Sequence, residues 1–122
     1  VRQWLTFHTG APIVEPAEAM FIYARLGHGP RPSLATLRQG TPDAPETGAT
    51  LLLECPSLTQ GAKLRLTGPG IRTEQTIAPV LDADFVREWH EQAPLFPRGV
   101  DVFLLCCAQV IGLPRSTSVM EV

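Results

Sequence analysis

GATLLLECPSLTQGAKLRLTGPGIRTEQTIAP, residues 48–79, is the most organised stretch of the chain. It reads as three consecutive strands, Thr50–Cys55, Ala62–Thr67 and Ile71–Ile77, joined by turns that carry Gly and Pro. Leu51-Leu52-Leu53 is apolar without alternation, which suits a strand covered on both faces. In the second strand Leu64 and Leu66 alternate with Lys63, Arg65 and Thr67, the pattern of a half-exposed strand. Gly68-Pro69-Gly70 supplies backbone freedom around a fixed proline and reads as a tight turn. Arg65 and Arg72 flank that glycine pair. Two cations beside turn amides suit an anion cradle, but isolated charge at a turn is usually plain surface, so a hairpin with solvated arginines is the expected reading.

Outward from this stretch the chain reads as one α/β domain of 122 residues. Ala19–Ala24, apolar and aromatic, has the length of a buried strand. Ser33 is placed to cap a short helix, Leu34–Gln39, which Gly40 stops, and Thr41–Thr47 is the most loop-like segment. Asp82 is placed to cap the clearest helix, Ala83–Ala93, which Pro94 ends. Phe85, Val86, Trp89 and Ala93 form its apolar face, with Arg87, Glu88, Glu91 and Gln92 elsewhere. Val100–Ala108 is the best candidate for a central buried strand, Val110-Ile111 for a return beside it, and Ser118–Val122 for a short edge strand. Val1–Phe7 fits either the last turns of a helix or an extended arrival, with His8 and Thr9 in the loop that follows.

Composition narrows the function classes. The formal charge is −2 with no cluster of Lys or Arg, so nucleic acid is not expected as a partner, because binding its backbone needs several cations on one face. The apolar runs are far too short to span a bilayer. Three cysteines, two of them adjacent at Cys106 and Cys107, argue against a disulfide framework and for a reducing, cytoplasmic compartment. On a strand the adjacent pair would point to opposite faces, in packing roles. His8, His28 and His90 lie far apart and no Cys-x-x-Cys spacing occurs, so no metal site is expected. Phosphate loops, dinucleotide fingerprints and nucleophile elbows are also missing from the sequence, and no catalytic residue is assigned. Polar residues at element ends remain as candidates: His8 with Thr9, Arg65, Asp101, and Arg115 with Thr117. A carboxylate inside an apolar strand, as at Asp101, needs a cation or backbone donors. It therefore either pairs with an arginine for structural reasons or joins His8, Arg65 and Arg115 around an anionic ligand.

The strings FHTGAPIV (7–14), ETGATLLLE (46–54), LRLTGPGI (64–71), IAP (77–79), PLFPRGVDVFLL (94–105) and GLPRSTSVMEV (112–122), in this order, resemble the H subunit of the bacterial carbon–phosphorus lyase system, which degrades phosphonates. That resemblance implies a mixed sheet flanked by helices, similar to the large domain of pyridoxal-phosphate-dependent transferases but without the cofactor. Lys63, the only lysine, has no Schiff-base context, in agreement. The resemblance further implies a homodimer in isolation, assembly with the G, I and J subunits, and a non-catalytic or indirectly catalytic role in making a ribose 1-phosphonate 5-triphosphate. The family's motif positions fall on His8, Thr9, Arg65, Gly68, Gly70, Phe96, Pro97, Gly99, Asp101, Pro114, Arg115 and Thr117. The glycines and Pro114 are expected to shape turns, and His8, Thr9, Arg65, Asp101, Arg115 and Thr117 to meet a ligand or a partner. The chain opens on Val1 and lacks the family's N-terminal part, so it is read as the C-terminal part of a longer chain. The competing expectation is a stand-alone nucleotide or phosphonate binder that uses arginines near Gly68–Gly70 and Arg115.

Overall fold

A computed structural model of the chain describes residues 14–122. Among these residues seven strands form two sheets: β1 (Phe21–Arg25), β2 (Thr50–Glu54), β3 (Leu64–Thr67), β4 (Gln75–Ile77), β5 (Asp101–Cys106), β6 (Gln109–Leu113) and β7 (Ser118–Glu121). The larger sheet has the order β1-β2-β5-β6, with the first three strands parallel and β6 antiparallel to β5. The smaller sheet is antiparallel in the order β4-β3-β7. Among the described residues one helix, α1 (Phe85–Gln92), and short 3-10 turns accompany them.

The expected three-strand run over residues 50–77 is therefore split. β2 is parallel to both its neighbours, with Leu51 and Leu53 buried on one face and Leu52 only half-buried on the other, and of the three only β3 and β4 form a hairpin. The remaining edge of β3 is filled by β7 from the far end of the chain. Residues 68–74 link the two strands, a longer connection than the tight turn expected, and the turn forms only its first part: the Ile71 amide donates to the Gly68 carbonyl at 3.0 Å, with Pro69 second and Gly70, at φ 85°, third. Residues 34–39 shorten to a 3-10 turn, Leu34–Thr36, that still buries Leu34.

The mixed sheet matches the α/β expectation, but among the described residues a single α-helix packs into the core on one face in place of flanking helices. On one face Ile22, Leu51, Leu53, Val102, Leu104 and Leu113 join Leu64, Leu66 and Val119 of the smaller sheet, with Phe85 and Trp89 of α1, in a single core. Each large apolar side chain so buried contributes about 1.5–3 kcal/mol. On the other face Tyr23, Leu52 and Phe103 lie in register. Tyr23 is 58% and Phe103 40% exposed. The strand around Ala19–Ala24 is consequently not the buried one expected: it is the edge of the sheet, and only Ile22 is buried. β5 does sit inside the sheet, between β2 and β6.

Helix α1 ties the parts together. Phe85, Trp89 and Gln92, at i, i+4 and i+7, share the buried face. The Trp89 Nε1 donates to the Thr117 carbonyl at 2.9 Å, and His90 Nε2 lies 2.6 Å from the Val119 carbonyl at β7. Gln92, expected away from the core, is 6% exposed, because its amide both donates to and accepts from the Val100 backbone.

Candidate functional site

The polar residues picked out in the sequence separate into groups. His8 and Thr9 lie outside the described residues. Arg65, on the outward face of β3, pairs with Glu74 at 3.0 Å, with both side chains roughly half exposed. Asp101 opens β5, and Arg115 reaches it from the turn after β6. Asp101 Oδ1 accepts from the Arg115 amide at 2.8 Å and from its Nε at 3.1 Å, while Oδ2 accepts from Nη2 at 3.1 Å. Nη1 donates to the carbonyls of Pro45 and Pro97. The Arg115 side chain is only 12% exposed. Thr117 follows, buried, its amide donating to the Pro114 carbonyl to close the turn. Asp101, Arg115 and Thr117 thus converge, and among the described residues no polar contact joins Arg65 to them.

Gly48 and Gly99 permit that convergence. A β-carbon on Gly48 would stand 2.5 Å from the Gly99 carbonyl and 2.8 Å from Arg115 Nη1. Gly99, at φ 139°, sits against Gln92 and Arg115. Most of the guanidinium's donors are therefore committed to the protein itself, and its geometry locks the loops at the amino edge of the parallel strands.

The opposite edge carries a cleft of about 750 Å³. β1, β2 and β5 all finish there, and in open α/β sheets the crevice beyond the carboxyl ends of parallel strands is the usual ligand position. Its walls include Arg25, His28, Glu54, Cys55, Cys106 and Cys107. Arg25 Nε pairs with Glu54 Oε2 at 2.9 Å, and the Tyr23 hydroxyl donates to Glu54 Oε1 at 2.7 Å. That hydrogen bond, with lesser burial and the carboxylate's charge, raises the Tyr23 pKa above its ordinary value. Burial, then the negative charge of Asp82, pushes the Cys55 thiol up to about 11, against a lowering by the Leu105 backbone, so Cys55 stays protonated. No group of three or more His, Cys, Asp or Glu that could hold a metal occurs among the described residues.

The adjacent cysteines depart from expectation. Cys106 ends β5 half-buried, and Cys107 stands exposed in a two-residue turn with Ala108, at φ 56° and 62°. A strand would have turned them to opposite faces, but the chain reverses between them and their sulfurs are joined as a disulfide.

The model of the family described as bacterial phosphonate metabolism protein (PhnH) matches residues 1–120. The chain belongs to the PhnH family. Subunit PhnH of alpha-D-ribose 1-methylphosphonate 5-triphosphate synthase from Rhizobium meliloti (strain 1021) is 34% identical over 117 residues, covering 94% of this chain and 58% of the relative. HtxG of Stutzerimonas stutzeri, named as a C-P lyase subunit protein, is 38% identical over 95 residues, covering 77% of this chain and 49% of its own. The chain thus spans about half the length of these curated relatives.

In this PhnH-family chain the sequence left two structural ion-pair centres unread. Arg31 sits between two prolines, yet its side chain is 7% exposed. Its fork holds Asp82 and Glu88 together, and Phe85 lies under it at 5.6 Å. The other is the Tyr23–Glu54–Arg25 cluster at the cleft. Its only signal was a carboxylate and a guanidinium at the ends of two strands, readable once those strands are known to be parallel neighbours.

Proposed function

We propose that this chain serves the carbon–phosphorus lyase system of phosphonate catabolism as a non-catalytic or indirectly catalytic subunit of its core complex. The observation that carries this reading is the family match over residues 1–120. The names of both relatives, a ribose 1-methylphosphonate 5-triphosphate synthase subunit and a C-P lyase subunit protein, support it. The commitment of Arg115 to internal carbonyls and to Asp101 favours a rigid, partner-facing surface over an open anion pocket at that edge.

The protein is then the C-terminal part of a longer chain with a fold like the large domain of pyridoxal-phosphate-dependent transferases, without the cofactor. It works in the cytoplasm, forms a homodimer when isolated, and joins the G, I and J subunits. His8, Thr9, Arg65, Asp101, Arg115 and Thr117 act at an interface or beside a ligand carried by the complex. Co-elution of the full-length protein with the G, I and J subunits at micromolar concentration is the expected result. Persistent separation of the proteins at that concentration would overturn the assignment. Heat released by ATP or a ribosyl phosphonate with the protein alone would instead favour a stand-alone binder.

A further inference from the structure

We propose that Cys106 and Cys107 form a thiol–disulfide exchange site at the mouth of the cleft, with the disulfide of a low-molecular-weight thiol as its co-substrate. The placement is what carries this. Cys106 is paired with Gln109 across a two-residue turn whose central positions are Cys107 and Ala108, at φ 56° and 62°. Such turns favour Asn-Gly, because a β-carbon crowds the backbone in the left-handed region. Here both positions carry one. The result is a sulfur lifted to the exposed tip of a hairpin, beside a second sulfur at the end of the strand.

Both cysteines line the cleft, in company with Arg25 and His28, and with Glu54, which neutralises Arg25. Cys107 is exposed and Cys106 half-buried, its Sγ 3.5 Å from the Pro56 carbonyl. Accessible thiols exchange and sealed ones do not. Cys55, 4% exposed and held as the thiol, is not a competitor.

In the oxidising direction, the Cys107 thiolate attacks one sulfur of the small disulfide, whose S–S bond breaks and releases one thiolate. That thiolate takes up the proton Cys107 has given to solvent. The Cys106 thiolate then attacks the Cys107 sulfur of the mixed disulfide and expels the second small thiol. One dithiol and one small disulfide become one intramolecular disulfide and two small thiols. Reduction by excess small thiol runs the same steps backwards.

The test is mass spectrometry of the full-length chain, reduced, freed of reductant and then exposed to oxidised glutathione. The wild type is expected to lose about two mass units relative to the reduced protein, with a peptide map that joins Cys106 to Cys107. Cys55→Ser should behave identically. Cys106→Ser should stop at a mixed disulfide on Cys107, a gain of about 305 mass units that dithiothreitol removes. An unchanged wild-type mass, a wild type that halts at the adduct, or a linkage to Cys55 or to a second chain would each overturn the proposal. The wild-type measurement needs no variant to fold. It is also independent of whether the chain joins the phosphonate complex.

Discussion

Gln92 and Val100 hold each other through two hydrogen bonds of 3.0 Å, the side-chain amide of one to the backbone N–H and C=O of the other. A glutamine on the buried face of α1 thereby copies what a neighbouring strand would offer, just where β5 begins. Gln92→Ala leaves both Val100 groups buried without partners, and a buried orphan costs about 1–3 kcal/mol. A loss of about 2–4 kcal/mol is expected, read as a lower urea midpoint at unchanged m. Gln92→Glu keeps an acceptor for the Val100 amide but sets a carboxylate against its carbonyl. That variant should regain part of its lost stability on acidification, as the new carboxyl protonates and donates again.

Asp101 and Arg115 form a two-pronged ion pair that also fixes the Pro45 and Pro97 carbonyls. Arg115→Ala removes the side-chain donors to all of these acceptors at once, leaving Asp101 the Arg115 amide and Pro45 the Gly48 amide. The penalty for breaking a buried pair is about 3–5 kcal/mol, and with the Asp101 side chain 35% exposed water softens it to about 1–3 kcal/mol. Arg115→Lys should recover little, because a single ammonium cannot span the carboxylate and the carbonyls together. Urea titration of the three proteins measures the ranking.

Asp82 gives stability a dependence on acid. Burial alone would raise its carboxyl, but the hydrogen bonds and charge of Arg31 outweigh burial and hold it below the ordinary carboxylate range. A group that ionises more readily when folded stabilises fully above its unfolded value, near pH ~4, and that contribution is lost as pH falls through the lower folded value. Wild-type stability should therefore fall more steeply below pH ~4 than that of Asp82→Asn, and the variant should be the less stable of the two at neutral pH. Urea midpoints across a pH series test both halves.

How much of this was legible in the sequence differed by element. The alternation of Leu64 and Leu66 with charged residues, the Pro-Gly turn at residues 69–70 and the amphipathic spacing of Phe85 and Trp89 each encode their local structure, because period and turn chemistry are properties of short windows. Strand pairing is not. The same three leucines suit a meander or a parallel layer, and only the distant β5 decides between them. Arg31, Asp82 and Glu88 meet across more than 50 positions of chain, so no spacing announced them. Asp101 was readable as a carboxylate in need of a cation. Which arginine answers it became visible only with the turn after β6 in place.

Arg65 is where structural and functional roles separate most cleanly. Its ion pair with Glu74 sits on the outer face of β3, with side chains 43% and 55% exposed. Exposed pairs of this kind contribute about 0.2–1 kcal/mol, so Arg65→Ala should move the urea midpoint little. Arg115→Ala, by contrast, is expected to destabilise the fold. A comparison in the assembled complex then has a clear reading. If Arg65 meets a partner or a phosphonate-bearing ligand, Arg65→Ala weakens co-elution with the other subunits or slows turnover while the isolated protein melts as before. Glu74→Ala, which removes the same ion pair but keeps the cation, should leave both intact. Equal effects from the two substitutions would assign Arg65 to the hairpin alone.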